Sequence, residues 1–420
     1  MGDLYLNRVI DSCIDEHLKI SGALLIEGPK WCGKTRTAEE HANSKLSMRS
    51  SNQINALELA IETGSKVFLE GDVPRLIDEW QDIPELWDIV RFEVDHRRKR
   101  GQFILTGSSA PSLESIRHSG AGRIVHVKMR TMSLYESGES NGSISLADLF
   151  NLKKIDGYSE LSVESLAFAL TRGGWPETIT APSKDGSKII ADYLNIMLTS
   201  ELSKVDGVRR NPATANRIIK SISRNISTTA NIQTIKNETS YKNKTNDDDT
   251  IRNYLKAMER IFLLENVRAW NPHIRSKTRL VTTPKWHFTD PSIATASLKV
   301  AHEALIKDYH TFGMLFESLC LRDLRVYSQP LDGEIYFFRN KNGFEVDFII
   351  ELPDGRWGAV EVKLGSKEID EAAANLIKLR DMIDTERMRP PEFLMILTAT
   401  QYGYQRPDGV YVVPIGCLKN

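Results

Sequence analysis

The chain has no apolar run approaching the roughly 18–20 residues that a membrane-spanning helix requires. Its opening, Met1 to Ile10, mixes acidic and polar side chains where a secretory signal needs an unbroken apolar segment, so a cytoplasmic protein without membrane contact is expected. Cysteine is scarce. Cys13, Cys32, Cys320 and Cys417 lie far apart and form no C-x-x-C pair, which excludes a zinc ribbon or a disulfide framework and suits a reducing compartment. Net charge is nearly absent as well, at −1. That small sum conceals a division. Residues 201–285 hold 17 Lys/Arg against 8 Asp/Glu, out of chain totals of 55 and 56, leaving 38 against 48 elsewhere. A basic middle between acidic flanks directs any DNA contact to that segment, although a solvated helical surface accounts for the same charges.

What remains is globular in composition, with 41% apolar and 26% charged residues in 420, and the length suits two or three domains. Between residues 20 and 130, short apolar runs alternate with stretches of helical period. The runs are Ala23–Ile26, Lys66–Leu69, Leu76-Ile77, Phe103–Leu105 and Ile124–Val127. This pattern predicts an α/β unit with a buried parallel sheet. Residues 137–160, rich in Gly, Ser and Asn, read as loop or linker. Further on, helical spacing joins Ile251, Tyr254, Leu255, Met258 and Phe262, with Asp249 or Thr250 placed as a cap. A short helix over Thr228–Ile235 and a polar loop over Asn237–Asp249 precede it, an arrangement compatible with a winged helix or with plain helix packing. After residue 310 a helix containing Phe316 and Glu317, strands over Glu334–Phe338, Phe344–Leu352 and Arg356–Leu364, and a helix over 368–384 make a second α/β unit.

The segment Gly28-Pro29-Lys30-Trp31-Cys32-Gly33-Lys34-Thr35 matches G-x-x-x-x-G-K-[ST], the P-loop pattern, between a strand and a helix. Its glycines let backbone N–H groups turn toward phosphates at a helix N-terminus, which Arg36 continues. Lys34 would reach the β- and γ-phosphates of a nucleoside triphosphate, ATP first among them, and the Thr35 hydroxyl would ligate Mg²⁺. Oxidation of Cys32, inside the loop, would obstruct nucleotide. The stretch Arg75–Gln81 supplies the metal-side acids: Asp78 for Mg²⁺ or its water, and Glu79 to polarise the attacking water. Thr106 or Ser108, at the end of the next strand, would hold that water, and Arg123 is a candidate for the cation that stabilises the transition state, from its own or a neighbouring subunit.

A second group of carboxylates lies near the C-terminus. If the hairpin around Pro353-Asp354-Gly355 is symmetric about Asp354, Asp347 falls opposite Glu361 and Glu345 opposite Lys363, all on one face. Val346, Phe348, Ile350, Val360, Val362 and Leu364 then make the other, apolar face. Asp347 and Glu361, with Glu317 from the upstream helix, would hold Mg²⁺ against a phosphodiester, and Lys363 would position a water. Cross-strand ion pairs on a solvated sheet face are the alternative.

Taken together, Gly28–Thr35, Arg75–Gln81, Phe103–Ser109, Gly122-Arg123, Met132–Glu136, Gly173–Glu177, Phe288–Asp290, Phe316-Glu317, Glu345–Asp347 and Glu361–Lys363 resemble a group of prokaryotic AAA-type ATPases fused to a C-terminal domain of unknown function. The resemblance implies an AAA-like P-loop ATPase domain over residues 1–150 and a helical region with a winged-helix element over 151–285. Over 286–420 it implies a PD-(D/E)XK nuclease-like fold whose motif falls on Asp347, Glu361 and Lys363, with Glu317 as the helix acid. Homo-oligomers are common among such ATPases. The function expected is ATP binding and hydrolysis controlling a DNA-associated, Mg²⁺-dependent nuclease domain. The alternatives are a regulatory protein whose nuclease-like domain is an inactive scaffold, or an ATPase that remodels proteins.

Overall fold

The computed structural model describes residues 5–46, 48, 50–109, 120–180, 186–240, 247–272 and 283–420. The chain divides into two compact units. The first comprises 1–130 with 203–208 and 257–263, and the second comprises the rest. The expected boundary at residue 150 therefore falls inside the second unit.

In the first unit, five strands form a wholly parallel sheet: β1 (Ala23–Glu27), β2 (Ser44–Leu46), β3 (Arg75–Ile77), β4 (Phe103–Gly107) and β5 (Ile124–Lys128), in the order β2-β3-β4-β1-β5. Helices α1 (Ile10–Ile20), α2 (Lys34–His41), α3 (Ser51–Glu62) and α4 (Glu85–Arg97) accompany it. Strand alternation sends Ala23, Leu25, Ile77, Phe103 and Leu105 into one core and Leu24, Ile26, Leu76 and Ile104 into another. Both faces of the sheet are thus buried, which is why these runs read as continuously apolar. Each of these Leu, Ile and Phe side chains contributes roughly 1.5–3 kcal/mol on full burial.

Lys66–Leu69 is no strand. Residues Val67–Leu69 form a single 3₁₀ turn in which Leu69 is buried and Val67 is 68% exposed, and a four-residue apolar run cannot by itself tell strand from turn. The sheet position goes instead to β2, whose Ser-Lys-Leu sequence carries no strand signal.

The second unit is built on a nine-stranded mixed sheet. Its strands are β7 (Gly157–Tyr158), β8 (Leu264–Ala269), β9 (Lys285–Phe288), β10 (Glu334–Arg339), β11 (Glu345–Glu351), β12 (Trp357–Lys363), β13 (Phe393–Thr398), β14 (Tyr402–Gln405) and β15 (Tyr411–Pro414), in the order β7-β14-β15-β13-β12-β11-β10-β8-β9. A separate pair joins β6 (Ile144–Ser145) to β16 (Leu418–Lys419). The helix Ile369–Met382 covers one face through Ala372, Leu376 and Leu379 against Ile349, Ala359 and Ile396. Residues 137–160 are therefore more than linker. They supply β6, β7 and a helix over Leu146–Phe150, capped by the Ser145 hydroxyl and anchored by buried Leu146, Leu149 and Phe150.

The helical part contains Pro212–Arg224, Ile232–Thr239 and Asp248–Arg260. The expected helix over Thr228–Ile235 thus starts later, at Asn231, whose side chain accepts the Thr234 N–H. Asp247, rather than Asp249 or Thr250, accepts the Thr250 N–H at 2.6 Å before the next helix. Residues 241–246 of the expected polar loop lie outside the described residues.

A buried charge network fastens the second unit together. Asp290, fully buried, accepts from Thr131 Oγ1 (2.8 Å), the Gly174 N–H (3.0 Å), the Ser292 N–H (3.0 Å) and Arg322 Nη1 (3.1 Å). Arg322 also pairs with Asp323 at 2.7 Å, and Asp323 accepts the Leu134 N–H. Three short motifs far apart in sequence, around Met132, Gly173 and Asp290, thereby meet on the long helix Tyr309–Ser328. Removing one member of a paired buried group leaves its partner uncompensated. Asp290→Ala is expected to destabilise the second unit by about 3–5 kcal/mol, read as a lower urea midpoint in the near-ultraviolet dichroism of the full chain. An unchanged midpoint would contradict this role.

Candidate nucleotide site and a second charged cluster

The C-terminal ends of β1, β3 and β4 converge at one edge of the parallel sheet, the edge where open α/β sheets bind ligands. Backbone approach there is close. A Cβ on Gly28 would stand 2.2 Å from the Met129 carbonyl oxygen, so only glycine fits. Gly33 has φ +103° and begins α2 with no side-chain cap, leaving the first amides of that helix without a side-chain acceptor. Such amides form an anion site. Lys34 is buried and folds across the loop, donating to the carbonyls of Gly28 (3.0 Å) and Pro29 (2.9 Å).

Asp78, one residue beyond β3, is the centre of the site. Its Oδ1 accepts from Thr35 Oγ1 (2.8 Å) and Thr106 Oγ1 (2.7 Å), and its Oδ2 accepts from Lys45 Nζ (3.0 Å). Burial alone would favour the protonated acid, but these three donors outweigh it and hold the carboxyl below its ordinary range. The strand pairing Ile77↔Leu105 puts Thr106 beside Asp78. The P-loop threonine and Thr106 therefore share one Asp78 oxygen, and the Thr35 hydroxyl with the Asp78 carboxylate makes a donor set that fits Mg²⁺, both being hard oxygens.

Glu79 adopts φ +53° and gives its N–H to Thr106 Oγ1 at 2.9 Å, while its carboxylate takes the Gln81 amide. Ser108 is buried and accepts from Gln81 at 3.4 Å. Thr106 is thus engaged with Asp78 and Glu79. Asp82 is pushed up by burial and by Glu79 and Asp78, with Lys30 and Lys204 opposing. Trp31 is half exposed. Arg36 pairs with Glu40 along α2 and stacks on Tyr5. Arg123 stands elsewhere. It immediately precedes β5, at the opposite end of the sheet from the P-loop, and pairs with Asp95 at 3.0 Å while 46% exposed.

Sequence reasoning missed two residues. Lys45 pairs with Glu39 (2.7 Å) as well as Asp78, from a strand too short to announce itself. Arg8, buried, donates from Nη1 to the Cys32 carbonyl (2.9 Å) and from Nη2 to the Arg130 carbonyl (2.8 Å), bracing the loop from outside any motif.

In the second unit, the hairpin register Phe348↔Val360 through Glu351↔Trp357 is the one that symmetry about Asp354 requires. It ends at Phe348. On the other side β10 pairs Tyr336 with Ile349 but Phe338 with Val346, so β11 carries one extra residue at Asp347-Phe348. This bulge corrects the strict alternation expected from sequence: Val346 joins the core of Ile349 and Ala359 rather than sharing a face with Ile350. Asp347 no longer sits in the ladder, and its Oδ2 accepts the Val362 N–H at 2.8 Å. Glu361, 3% exposed, pairs with Lys363 at 3.0 Å. Glu317, on the long helix, pairs with Lys285 of β9 at 3.3 Å, and Glu345 pairs with both Lys285 and Arg339.

Glu317 is pushed up to about 8 by burial and by Asp347 and Glu345, with Lys285 opposing. Glu361 is pushed up to about 8 by burial and by Asp347, with Lys363 opposing. Among the described residues, no group of three or more His, Cys, Asp or Glu side chains converges on a metal position. Lys285 is the member that sequence reasoning left out; one lysine before Trp286-His287-Phe288 gives no signal.

Helix α2, which begins at the P-loop, is tied to α1 by a titrating pair. His41 lies 3.2 Å from Asp11 and 2.9 Å from Asp15. The hydrogen bond to Asp11 raises its pKa above 6.5, against burial, and both carboxylates add to the rise. Because the folded-state value is raised, this stabilisation is complete below pH 6.5 and disappears as pH climbs through the raised value. As pH rises above 6.5 the melting temperature is expected to decline more steeply in the wild type than in His41→Gln. Parallel melting curves would contradict this.

An AAA domain model matches residues 21–138, a domain of unknown function (DUF8612) matches 163–304, and another domain of unknown function (DUF4143) matches 312–418. Uncharacterized proteins of Mycobacterium bovis and Mycobacterium tuberculosis are each 24% identical over 344 residues, spanning 81% of this chain and 70% of their own. A Walker-type ATPase of Pyrococcus abyssi aligns at 14% identity and a TM-score of 0.42, over 70% of this chain and 96% of its own. Among the described residues no helix is long and apolar enough to cross a membrane. The P-loop thus lies inside the segment that the AAA domain model matches, and the two segments that follow match models that carry no assigned function.

Proposed function

We propose that this protein binds ATP and hydrolyses it at the P-loop edge of the first sheet. The observation that carries this reading is the shared Asp78 oxygen, which joins the P-loop (Thr35) to the end of β4 (Thr106). Thr35 and Asp78 would hold Mg²⁺, which would supply charge neutralisation on the phosphates. Lys34, now spread over two loop carbonyls, has donors to offer the β- and γ-phosphates. The amides of Gly33 through Thr35 face the same anion. Glu79, held at the strand end by its N–H to Thr106, would polarise a water. From its position Arg123 can serve only the nucleotide of a neighbouring copy, which makes self-association part of the same proposal. Lys34→Ala is expected to lower ATP hydrolysis on the order of 10²–10³-fold while the fold is retained. A rate equal to wild type in a steady-state phosphate assay would sink the assignment.

A second reading concerns the C-terminal cluster. Asp347, Glu361 and Lys363 are neighbours at the β11–β12 hairpin, in the order that the nuclease-like motif requires. On this reading the nucleotide state of the first unit controls DNA cleavage by the second, with DNA phosphates held by the basic segment 201–285. Asp347→Ala should then abolish Mg²⁺-dependent cleavage and leave ATP hydrolysis within about twofold of wild type. Cleavage that survives the change removes the nuclease assignment. A preparation that hydrolyses ATP without cutting DNA points to the scaffold alternative, and stimulation by a protein but not by DNA points to remodelling.

A further inference from the structure

The cluster around Asp347 holds four acids, Glu317, Glu345, Asp347 and Glu361, and three cations, Lys285, Lys363 and Arg339. The cations are not equivalent. Lys363 stays beside Glu361 on its own strand, and Arg339 reaches Glu345 from a partly exposed position at 3.5 Å. Lys285 arrives from β9, is only 2% exposed, and puts its ammonium on Glu317 and Glu345 together. Asp347 acts on the same ammonium electrostatically. A lysine is buried this deeply only when its charge is answered. Two of the acids that answer it, Glu317 and Asp347, are among those a divalent ion would draw on, and two cations cannot occupy the same carboxylate oxygens.

We propose that Lys285 is the built-in cation of this cluster: its ammonium occupies the place between Glu317 and Glu345, facing Asp347, that a divalent metal would need, so the folded site is closed to Mg²⁺. The inference rests on the reading of the cluster as nuclease-like and adds its control. Metal enters only if the Lys285 side chain withdraws from Glu317 and Glu345.

The test is Mn²⁺ binding to the nucleotide-free full chain, followed by the electron paramagnetic resonance of free Mn²⁺. Wild type, Lys285→Gln and Lys285→Gln/Asp347→Asn are compared, so that ions held at the P-loop cancel. Lys285→Gln is expected to gain one Mn²⁺ equivalent bound at least about tenfold more tightly than any Asp347-dependent site of the wild type. The double variant is expected to lose it. Equal binding by Lys285→Gln and wild type overturns the proposal, as does a wild type that already holds an Asp347-dependent ion with that affinity. If Lys285→Gln does not fold alone, rescue of folding by Mn²⁺ that disappears with Asp347→Asn supports the proposal, and no rescue overturns it. A Lys285→Gln protein that binds Mn²⁺ yet cuts no DNA keeps this inference and removes the nuclease reading.

Discussion

A carboxylate taken out of water must be given a proton, a cation or a set of donors, and the organisation of this molecule follows from how it answers that requirement in three places. At Asp78 two hydroxyls and a lysine keep the acid ionised at the sheet edge. At Asp290 a guanidinium, a hydroxyl and two backbone amides do so in the interior, while Asp323 on the same guanidinium is still pushed up to about 6 by burial. Around Asp347 the answer is incomplete: Glu317 and Glu361 are pushed toward neutrality even with Lys285 and Lys363 beside them. The first is a donor set with room for chemistry, the second is a clasp, and the third is a crowded site balanced by its own lysines.

The chain passes from the first unit to the second at residues 130 and 131. Arg8 holds the carbonyl of Cys32, inside the P-loop, and the carbonyl of Arg130. The next residue, Thr131, opens the second unit and donates to Asp290. Consecutive residues are thus anchored to the nucleotide loop and to the buried clasp. The clasp in turn sits on the helix Tyr309–Ser328, which also carries Glu317 of the third cluster.

What could be read from sequence was what local chemistry dictates. The P-loop is legible because its glycines, lysine and threonine are consecutive and each is required by backbone approach or phosphate contact. The hairpin around Asp354 is legible because a Pro-Asp-Gly turn and strict alternation fix its register. The bulge at Asp347 was not legible, since an extra residue is specified by the partner strand β10 and not by β11 itself. Arg8, Lys45 and Lys285 lie outside every motif and gain their roles only when distant segments meet. Val67 and Phe68 misled for the opposite reason, since an apolar run was used for a turn that buries Leu69, packs Phe68 only in part and leaves Val67 exposed.

Asp78 is the acid that joins the P-loop to the adjoining strand end. The most direct measurement is Mg²⁺-dependent ATP hydrolysis by the full chain, comparing wild type with Asp78→Asn, which keeps the shape and removes the charge. A wild type that turns over and a variant slowed on the order of a hundredfold is the expected result. Equal rates, or a wild type with no hydrolysis at all, would contradict it.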